Sequence, residues 1–171
     1  MWSKGWLVMM VFAGTACGGS TYEVPVAEPA VQATVTRVGT TGAFDACAFL
    51  GRDEIVAALG SQDLGAGERR DGGTECRYSS SHRSLTVWTN SSLSTETFQD
   101  LRDLLKEQNQ HVDAAPGVGD DAYFWDDRIY VRVGSRGFTL EVRQHLYSRE
   151  PRVPIRPALL TLARSGVARL R

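Results

Sequence analysis

The stretch from Cys47 to Cys76 constrains the fold more than any other part of this 171-residue chain. Cys47 precedes a short helical pattern that ends at Gly60, and Cys76 opens a strand pattern after a polar loop. A bond between the two cysteines would tie that helix to the first strand of a small sheet. This stretch therefore predicts an α+β domain organised around a link between helix and sheet.

Length and composition fit one globular domain. Hydrophobic residues make up 42% of the chain and charged residues 23%, which is enough apolar surface for a packed core. The formal net charge of −1 gives no general attraction to nucleic acid or to an anionic membrane surface. No nucleic-acid partner is expected.

Residues 1–16 predict a signal peptide. Lys4 supplies a weak positive charge, and the apolar run from Trp6 to Ala13 is far shorter than the roughly 20 residues that span a bilayer. The small residues of 14–16 stand directly before Cys17, as in a bacterial lipobox, where cleavage leaves the cysteine as a lipid-carrying N-terminus. The alternative is ordinary signal cleavage after Ala16, which small residues also suit.

The number of cysteines supports the lipid interpretation. Three cysteines in an exported protein leave one odd thiol. Attachment of lipid, palmitate included, to Cys17 removes the odd one and leaves Cys47 and Cys76 to pair in an oxidising compartment. The alternative for that pair is two buried free thiols.

Residues 17–43 predict a lipidated cysteine followed by a flexible tether. The segment is mainly Gly, Ser, Thr, Val, Ala and Pro, and Pro25 and Pro29 discourage regular structure. Residues 44–171 then predict a single domain.

Within that domain, hydrophobic periodicity predicts helices separated by runs of strands. Alternating residues indicate strands with one buried face, and a 3.6-residue period indicates amphipathic helices. The predicted order is a helix from 52 that ends at Gly60, strands at 74–79 and 84–90, a helix at 94–108, strands at 122–125, 128–133 and 138–143, and a helix at 158–170. The order favours an α+β fold, an antiparallel sheet with helices on one face. The polar segment 61–73 is predicted to be a loop.

The middle helix carries a continuous apolar stripe. Its members are Phe98, Leu101, Leu104 and Leu105, which recur at helical spacing. Acidic and basic residues cover the opposite face, so the stripe is expected to pack on the core.

These residues resemble a family of small actinobacterial-type cell-envelope lipoproteins whose domain has no known reaction. The shared pattern is a lipobox cysteine and tether, a Cys with an apolar pair and a helix ending in Leu-Gly, a second Cys with an aromatic residue two positions on, and a Gly-Val-Gly-Asp-x-Ala-Tyr turn. In this chain the pattern falls on Cys17, Cys47 with Phe49-Leu50, Leu59-Gly60, Cys76 with Tyr78, and residues 117–123. The resemblance implies a disulfide and an envelope location, and it implies no reaction.

Several chemistries are excluded by spacing. Residues 117–122 match the Gly-x-Gly-x-x-Ala dinucleotide pattern, but a strand follows them where a helix is required, so the glycines are expected to serve positive-φ turns. Asp120, Asp121, Asp126 and Asp127 do not follow a calcium-loop spacing, and the second pair is typical of a turn. No metal and no cofactor are expected.

No catalytic residue is predicted. The three histidines are far apart in sequence, and no Ser/His/Asp or Cys/His set is indicated. Between Arg143 and Arg171 the chain carries seven arginines against one acid, Glu150. A solvated helix face is preferred there to a site for anionic lipid headgroups, peptidoglycan or nucleic acid, because no interleaved aromatic residues suggest base stacking.

Four aromatic residues form the candidate ligand face: Tyr78, Trp88, Trp125 and Tyr130. Aromatic side chains on a partly wet sheet face suit a small ligand or a partner. The alternative is that they pack beneath the terminal helix.

The sequence thus predicts an exported, lipid-anchored envelope lipoprotein that binds without catalysing a reaction. Its expected location is the outer side of the inner membrane or the outer membrane, held by lipid on Cys17. The expected ligand is a protein partner, a cell-wall component or a small lipophilic molecule. The alternatives are an envelope enzyme whose site forms only in the fold, and a structural assembly factor.

Overall fold

The described part of the chain, residues 44–145 and 151–171 of a computed structural model, is one antiparallel sheet with four α-helices. The strands are β1 (Glu68–Arg70), β2 (Glu75–Ser79), β3 (Arg83–Asn90), β4 (Val112–Ala114), β5 (Asp121–Trp125), β6 (Arg128–Val133) and β7 (Arg136–Gln144). The helices are α1 (Ala46–Phe49), α2 (Arg52–Leu59), α3 (Thr95–Glu107) and α4 (Ile155–Leu170). The sheet order is β1-β2-β3-β7-β6-β5-β4, and the paired strands are antiparallel.

The predicted α+β class, the antiparallel sheet and the order of the main helices and strands are confirmed. The structure adds α1, β1 and β4, and α4 begins three residues before the predicted 158. Prediction of a loop over 61–73 was wrong for β1, whose three side chains are all exposed and carry no alternating pattern. Its strand conformation comes from pairing with β2. Predictions for residues 1–43, including the signal peptide, Cys17 and the tether, lie outside the described residues.

One face of the sheet forms the main core beneath α1, α2 and α4. Alternate residues of the central strands point to this face, and they are almost fully buried. The strand residues include Cys76, Tyr78, Leu85, Val87, Ile129, Val131, Phe138, Leu140 and Val142, and the helices add Phe49, Ile55, Leu59, Leu159, Leu162 and Ala163. Burial of apolar surface on this face is the main stabilising contribution to the domain.

Helix α3 packs on the opposite face, which corrects the prediction that the helices share one face. Phe98 and Leu105 of α3 form a separate small core with Tyr123, whose strand neighbours Ala122 and Phe124 belong to the main core. Hydrophobic periodicity shows that a helix has an apolar side, but not which face of the sheet that side covers. Strand β5 is apolar on both faces, so it offers α3 a second place to pack.

The predicted bond between Cys47 and Cys76 is present and joins α1 to β2. The two Cα atoms are 5.0 Å apart. The hydroxyl of Tyr78 donates a 2.8 Å hydrogen bond to the carbonyl oxygen of Cys47, which adds a second link between the same elements. The N-terminal part of the domain is thereby fixed to the sheet.

Two glycines adopt the conformations that the sequence predicts for them. Gly60 ends α2 with φ of 65°, in the left-handed region that favours glycine. Gly119 has φ of 64°, and a Cβ there would lie 2.5 Å from the carbonyl oxygen of Arg132. The glycines before β5 therefore form a tight turn against β6 and do not form a phosphate loop.

Candidate functional site

The candidate site lies on the sheet face that α3 covers only in part. The strand register places two rows of side chains side by side on this face. One row is Trp88, Thr139, Tyr130 and Tyr123, and the other is Thr86, Glu141, Arg128 and Trp125. We call the set Trp88, Trp125, Arg128, Tyr130, Thr139 and Glu141 the aromatic face.

Arg128 lies between the two tryptophans. Its guanidinium carbon is 5.8 Å from the centre of the Trp88 ring and 5.2 Å from that of Trp125. Both distances are within the range of a cation–π interaction. The three side chains therefore hold one another in place across strands β3, β6 and β5.

Glu141 fixes the guanidinium of Arg128 from the β7 side. One carboxylate oxygen of Glu141 accepts a 3.1 Å hydrogen bond from Nε of Arg128, and Nη2 of Arg128 lies 3.1 Å from the same oxygen. That oxygen also accepts a 2.9 Å hydrogen bond from Arg143. Burial opposes the charge on Arg128, but its hydrogen bond with Tyr130 and the nearby Glu141 outweigh that effect and raise its pKa. The Glu141 side chain is only 9% exposed, so its carboxylate is shielded from water, whereas the Arg128 side chain is 30% exposed.

The polar edges of both indoles are already hydrogen-bonded. Trp88 Nε1 donates to Glu75 at 2.9 Å, and Trp125 Nε1 donates to Gln110 at 3.3 Å. Each tryptophan remains partly exposed. What the two rings present to a ligand is therefore mainly apolar ring surface in a fixed orientation.

Tyr130 rests on a second aromatic layer beneath it. Its ring stacks on Tyr123 with centroids 4.9 Å apart and planes 13° apart, and Tyr123 in turn packs against Phe98 of α3. Burial raises the pKa of Tyr123 well above its usual value. Its hydroxyl has no hydrogen-bond partner within the part of the chain that the structure describes. Tyr123 thus acts as an apolar support for the aromatic face.

Two depressions open along the aromatic face. The first, of about 230 Å³, is mainly apolar and lies between Trp88, Tyr130 and Thr139 of the sheet and Leu93 and Leu101 around α3. The second, of about 510 Å³, is mainly polar and is lined by Trp125, Asp126, Asp127, Arg128, Glu141, Arg143 and Gln144. The site is therefore an elongated surface with an apolar end and a polar end.

Helix α3 contributes exposed apolar surface beside the first depression. The stripe predicted to pack on the core does so through Phe98 and Leu105, but Leu101 is 39% exposed and Leu104 is 49% exposed. Leu101 lines the apolar depression. This part of the stripe is available to a ligand.

Three of the four predicted aromatic residues share this face, and Tyr78 does not. Tyr78 is 4% exposed and lies in the main core beneath the helices. It pairs with Leu85 across the β2–β3 hairpin, so both side chains point inward. Tyr78 therefore lies on the core side of the sheet, beside α1, and is removed from the candidate face.

Sequence patterns did not indicate a role for Arg128 or Glu141 on this face. A signal for Arg128 was present, because the two-residue turn at Asp126 and Asp127 sets Trp125 directly opposite Arg128. Glu141 carried no such local signal. It reaches Arg128 only through the pairing of β6 with β7.

Other candidate groups have structural partners. Asp120 accepts a 2.7 Å hydrogen bond from the backbone of Gly134, and Asp121 lies 3.2 Å from Arg102. Residues 44–145 and 151–171 contain no cluster of three or more His, Cys, Asp or Glu side chains placed to hold a metal ion. In the C-terminal arginine segment, Arg156 pairs with Asp113 and Arg169 with Glu54.

A second groove lies on the other side of the domain, between α2 and α4. It measures about 480 Å³ and is lined mainly by small apolar residues, among them Ala57, Ala58, Val153, Pro157 and Ala158. Glu54, which also lines this groove, forms a 2.6 Å ion pair with Arg169. Its apolar lining suits a lipophilic ligand and lacks the fixed polar groups of the aromatic face.

No helix in the described ranges is long and apolar enough to cross a membrane. Comparison with protein-family models, with curated proteins and with solved structures finds no match to this chain.

Proposed function

We propose that this chain is an exported envelope lipoprotein, anchored by lipid on Cys17, whose domain binds a ligand on the aromatic face and catalyses no reaction. The observation that carries the proposal is the stack of Trp88, Arg128 and Trp125 on a sheet face that α3 leaves partly open. Rigid aromatic groups held in advance lose little entropy on binding. Membership of the envelope lipoprotein family that the sequence resembles belongs to the same proposal.

The state of the charged groups favours binding over catalysis. A general base must lie within hydrogen-bond reach of the proton that it abstracts, so a carboxylate committed to structural ion pairs is poorly suited to that role. Glu141, the most buried carboxylate of the face, is neutralised by Arg128 and Arg143. The two arginines hold this carboxylate in one orientation, which suits a fixed recognition surface.

The disulfide supports the proposed export. Disulfides persist in oxidising compartments and are rare in the reducing cytosol. With Cys47 and Cys76 paired, Cys17 is the remaining thiol, and it stands where the lipobox pattern places a lipidated residue. The disulfide and the lipobox pattern at the N-terminus thus both favour a location outside the cytosol.

Replacing Cys17 by alanine tests the anchor. We expect the wild-type protein to sediment with membranes and to require detergent for release, whereas Cys17→Ala should appear in the soluble envelope fraction. Fractionation followed by immunoblotting makes the measurement, and intact mass reports the lipid directly. Ser20→Ala is the matched control, because it changes a neighbouring residue but leaves the lipobox intact. Unchanged membrane association of Cys17→Ala would remove the lipoprotein part of the proposal.

Site-specific photo-crosslinking in cells tests the binding face. A photoreactive benzoyl-phenylalanine at position 139 lies between Trp88 and Tyr130 on the aromatic face. We expect it to capture one dominant component, and we expect Trp88→Ala to reduce that capture several-fold because the stack loses a ring. The matched control places the same group at the exposed position 53 of α2, which lies outside the aromatic face and does not line the second groove. Equal capture from both positions, or none from position 139, would contradict the assignment of the face.

A further inference from the structure

The chemical class of the ligand can be argued from the aromatic face, and this inference rests on the proposed function. The apolar depression beside α3 and the polar depression beside the Asp126–Asp127 turn are joined by the two rows of side chains described above. The first row contains Trp88 and Tyr130, and the second contains Arg128 and Trp125. The ligand that fills this surface is extended, with apolar and hydrogen-bonding parts close together.

A pyranose ring has that combination of surfaces. Its axial C–H bonds form an apolar patch that stacks on an aromatic ring, and its equatorial hydroxyls form a rim of donors and acceptors. Trp88, Tyr130 and Leu101 provide apolar contact at one end. Around them and at the other end are amide, hydroxyl and carboxylate groups that bond to hydroxyls: Asn90, Thr139, Asp126, Asp127 and Gln144. The composition of the face therefore matches a carbohydrate.

The charges on the face favour an uncharged ligand. The polar depression contains two arginines, Arg128 and Arg143, and three acids, Asp126, Asp127 and Glu141. Both arginines are bound to Glu141. A polyanion such as nucleic acid, or a phosphorylated polymer, needs an excess of positive charge, which this lining does not provide.

The position of the face within the sheet argues against an extended peptide. Peptides that add to a sheet bond to the free backbone groups of an edge strand. The aromatic face is built on β3, β7, β6 and β5, each of which is paired on both sides. Their backbone donors and acceptors are already used. A ligand on this face is bound by side chains alone, as a glycan is.

We infer that the aromatic face binds one strand of an uncharged glycan, with a sugar ring seated against Trp88 and Tyr130 and the next part of the strand hydrogen-bonded beside Trp125. In an envelope protein, such a strand belongs to a cell-wall or surface polysaccharide. The side chains of Arg128 and Glu141 position the two indoles and are not expected to make the main contacts.

Titration of the full-length protein in detergent with neutral oligosaccharides tests this inference. The probes are cellotetraose, chitotetraose and maltotetraose. Their binding is measured by calorimetry and by the intrinsic fluorescence of tryptophan. We expect saturable binding of at least one probe, with little dependence on salt because no charge is neutralised. Trp88→Ala should weaken it by about tenfold, the loss of one stacking contact. Trp88→Phe should keep part of the affinity.

Arg156→Ala is the matched control for the face. Arg156 also lies over an aromatic ring, 5.1 Å from the centre of Phe124, but Phe124 belongs to the main core on the other side of the sheet. Its removal should leave glycan affinity unchanged. Thermal unfolding of each variant shows that it is folded.

The glycan ligand and the binding role of the aromatic face are tested by different results. If no probe binds, or if binding is unchanged in Trp88→Ala, the glycan inference is overturned. If photo-crosslinking from position 139 then captures a protease-sensitive partner in a Trp88-dependent way, the aromatic face is still a binding surface, but for a protein. If no oligosaccharide binds and position 139 captures nothing, both the glycan inference and the assignment of the aromatic face as a binding surface are contradicted.

Discussion

Removing the disulfide by the double replacement of Cys47 and Cys76 with alanine should lower the free energy of unfolding by about 3.6 kcal/mol. The bond closes a loop with a sequence separation of 29 residues, and the chain-entropy model gives that value for the greater freedom of the unfolded chain. Cys76 is fully buried, so alanine is preferred to serine, which would add a buried hydroxyl. A change of this size is a large fraction of the stability of an ordinary domain.

Urea denaturation followed by circular dichroism measures the effect. The control is the wild-type protein measured with and without a reductant. Reduction of the bond should lower its free energy of unfolding by most of the same amount, without any substitution. The double variant should not respond to the reductant. A variant as stable as the oxidised wild-type protein would show that the bond does not stabilise the domain.

The second large effect is expected from Arg83, the first residue of β3. Its side chain is 3% exposed and donates to the carbonyl oxygens of Leu59 and Pro151, both at 2.6 Å, and to the hydroxyl of Ser61 at 3.1 Å. Arg83 therefore joins the end of α2 and the chain before α4 to the centre of the sheet. Arg83→Leu removes these charge-assisted bonds and leaves the carbonyl oxygen of the buried Leu59 without its donor, so we expect a loss of about 3 kcal/mol in the free energy of unfolding.

Chemical denaturation of Arg83→Leu makes the measurement, with Arg164→Leu as the matched control. Arg164 is an exposed arginine of α4, and its replacement should change stability by less than about 0.5 kcal/mol. Arg83→Lys should recover only part of the loss, because an ammonium group does not reproduce the planar fork of the guanidinium. Equal stability of Arg83→Leu and the wild-type protein would contradict the role given to Arg83.

Local patterns predicted the parts of this fold that depend on neighbouring residues. The alternation in 128–133 and 138–143 predicted β6 and β7, and Gly60 marked the end of α2. The count of three cysteines, with Cys17 assigned to lipid, left Cys47 and Cys76 to form the predicted bond. Each of these features depends on residues close in sequence or on a simple count, so one sequence suffices to find it.

Features that depend on strand register were not predictable in the same way. Tyr78 and Trp88 lie on neighbouring strands, yet the β2–β3 register sets Tyr78 opposite Leu85 and Trp88 opposite Glu75, which sends them to opposite faces. A shift of one residue would exchange the two faces. Arg83 gave no local signal, because its acceptors at Leu59 and Pro151 are distant in sequence. The site could thus be predicted as a set of aromatic residues, but not as an assembled surface.

The sheet order implies a sequence of events in folding. Strands β1, β2 and β3 form one antiparallel meander, β4 to β7 form another, and the two meet only where β3 pairs with β7. Each meander is local in sequence, whereas the joining pairs are distant, such as Arg83 with Gln144. Local contacts close sooner than distant ones. Trp88 belongs to the first meander, and Arg128 and Trp125 belong to the second. The aromatic face therefore straddles the β3–β7 junction and forms only after the two halves have joined.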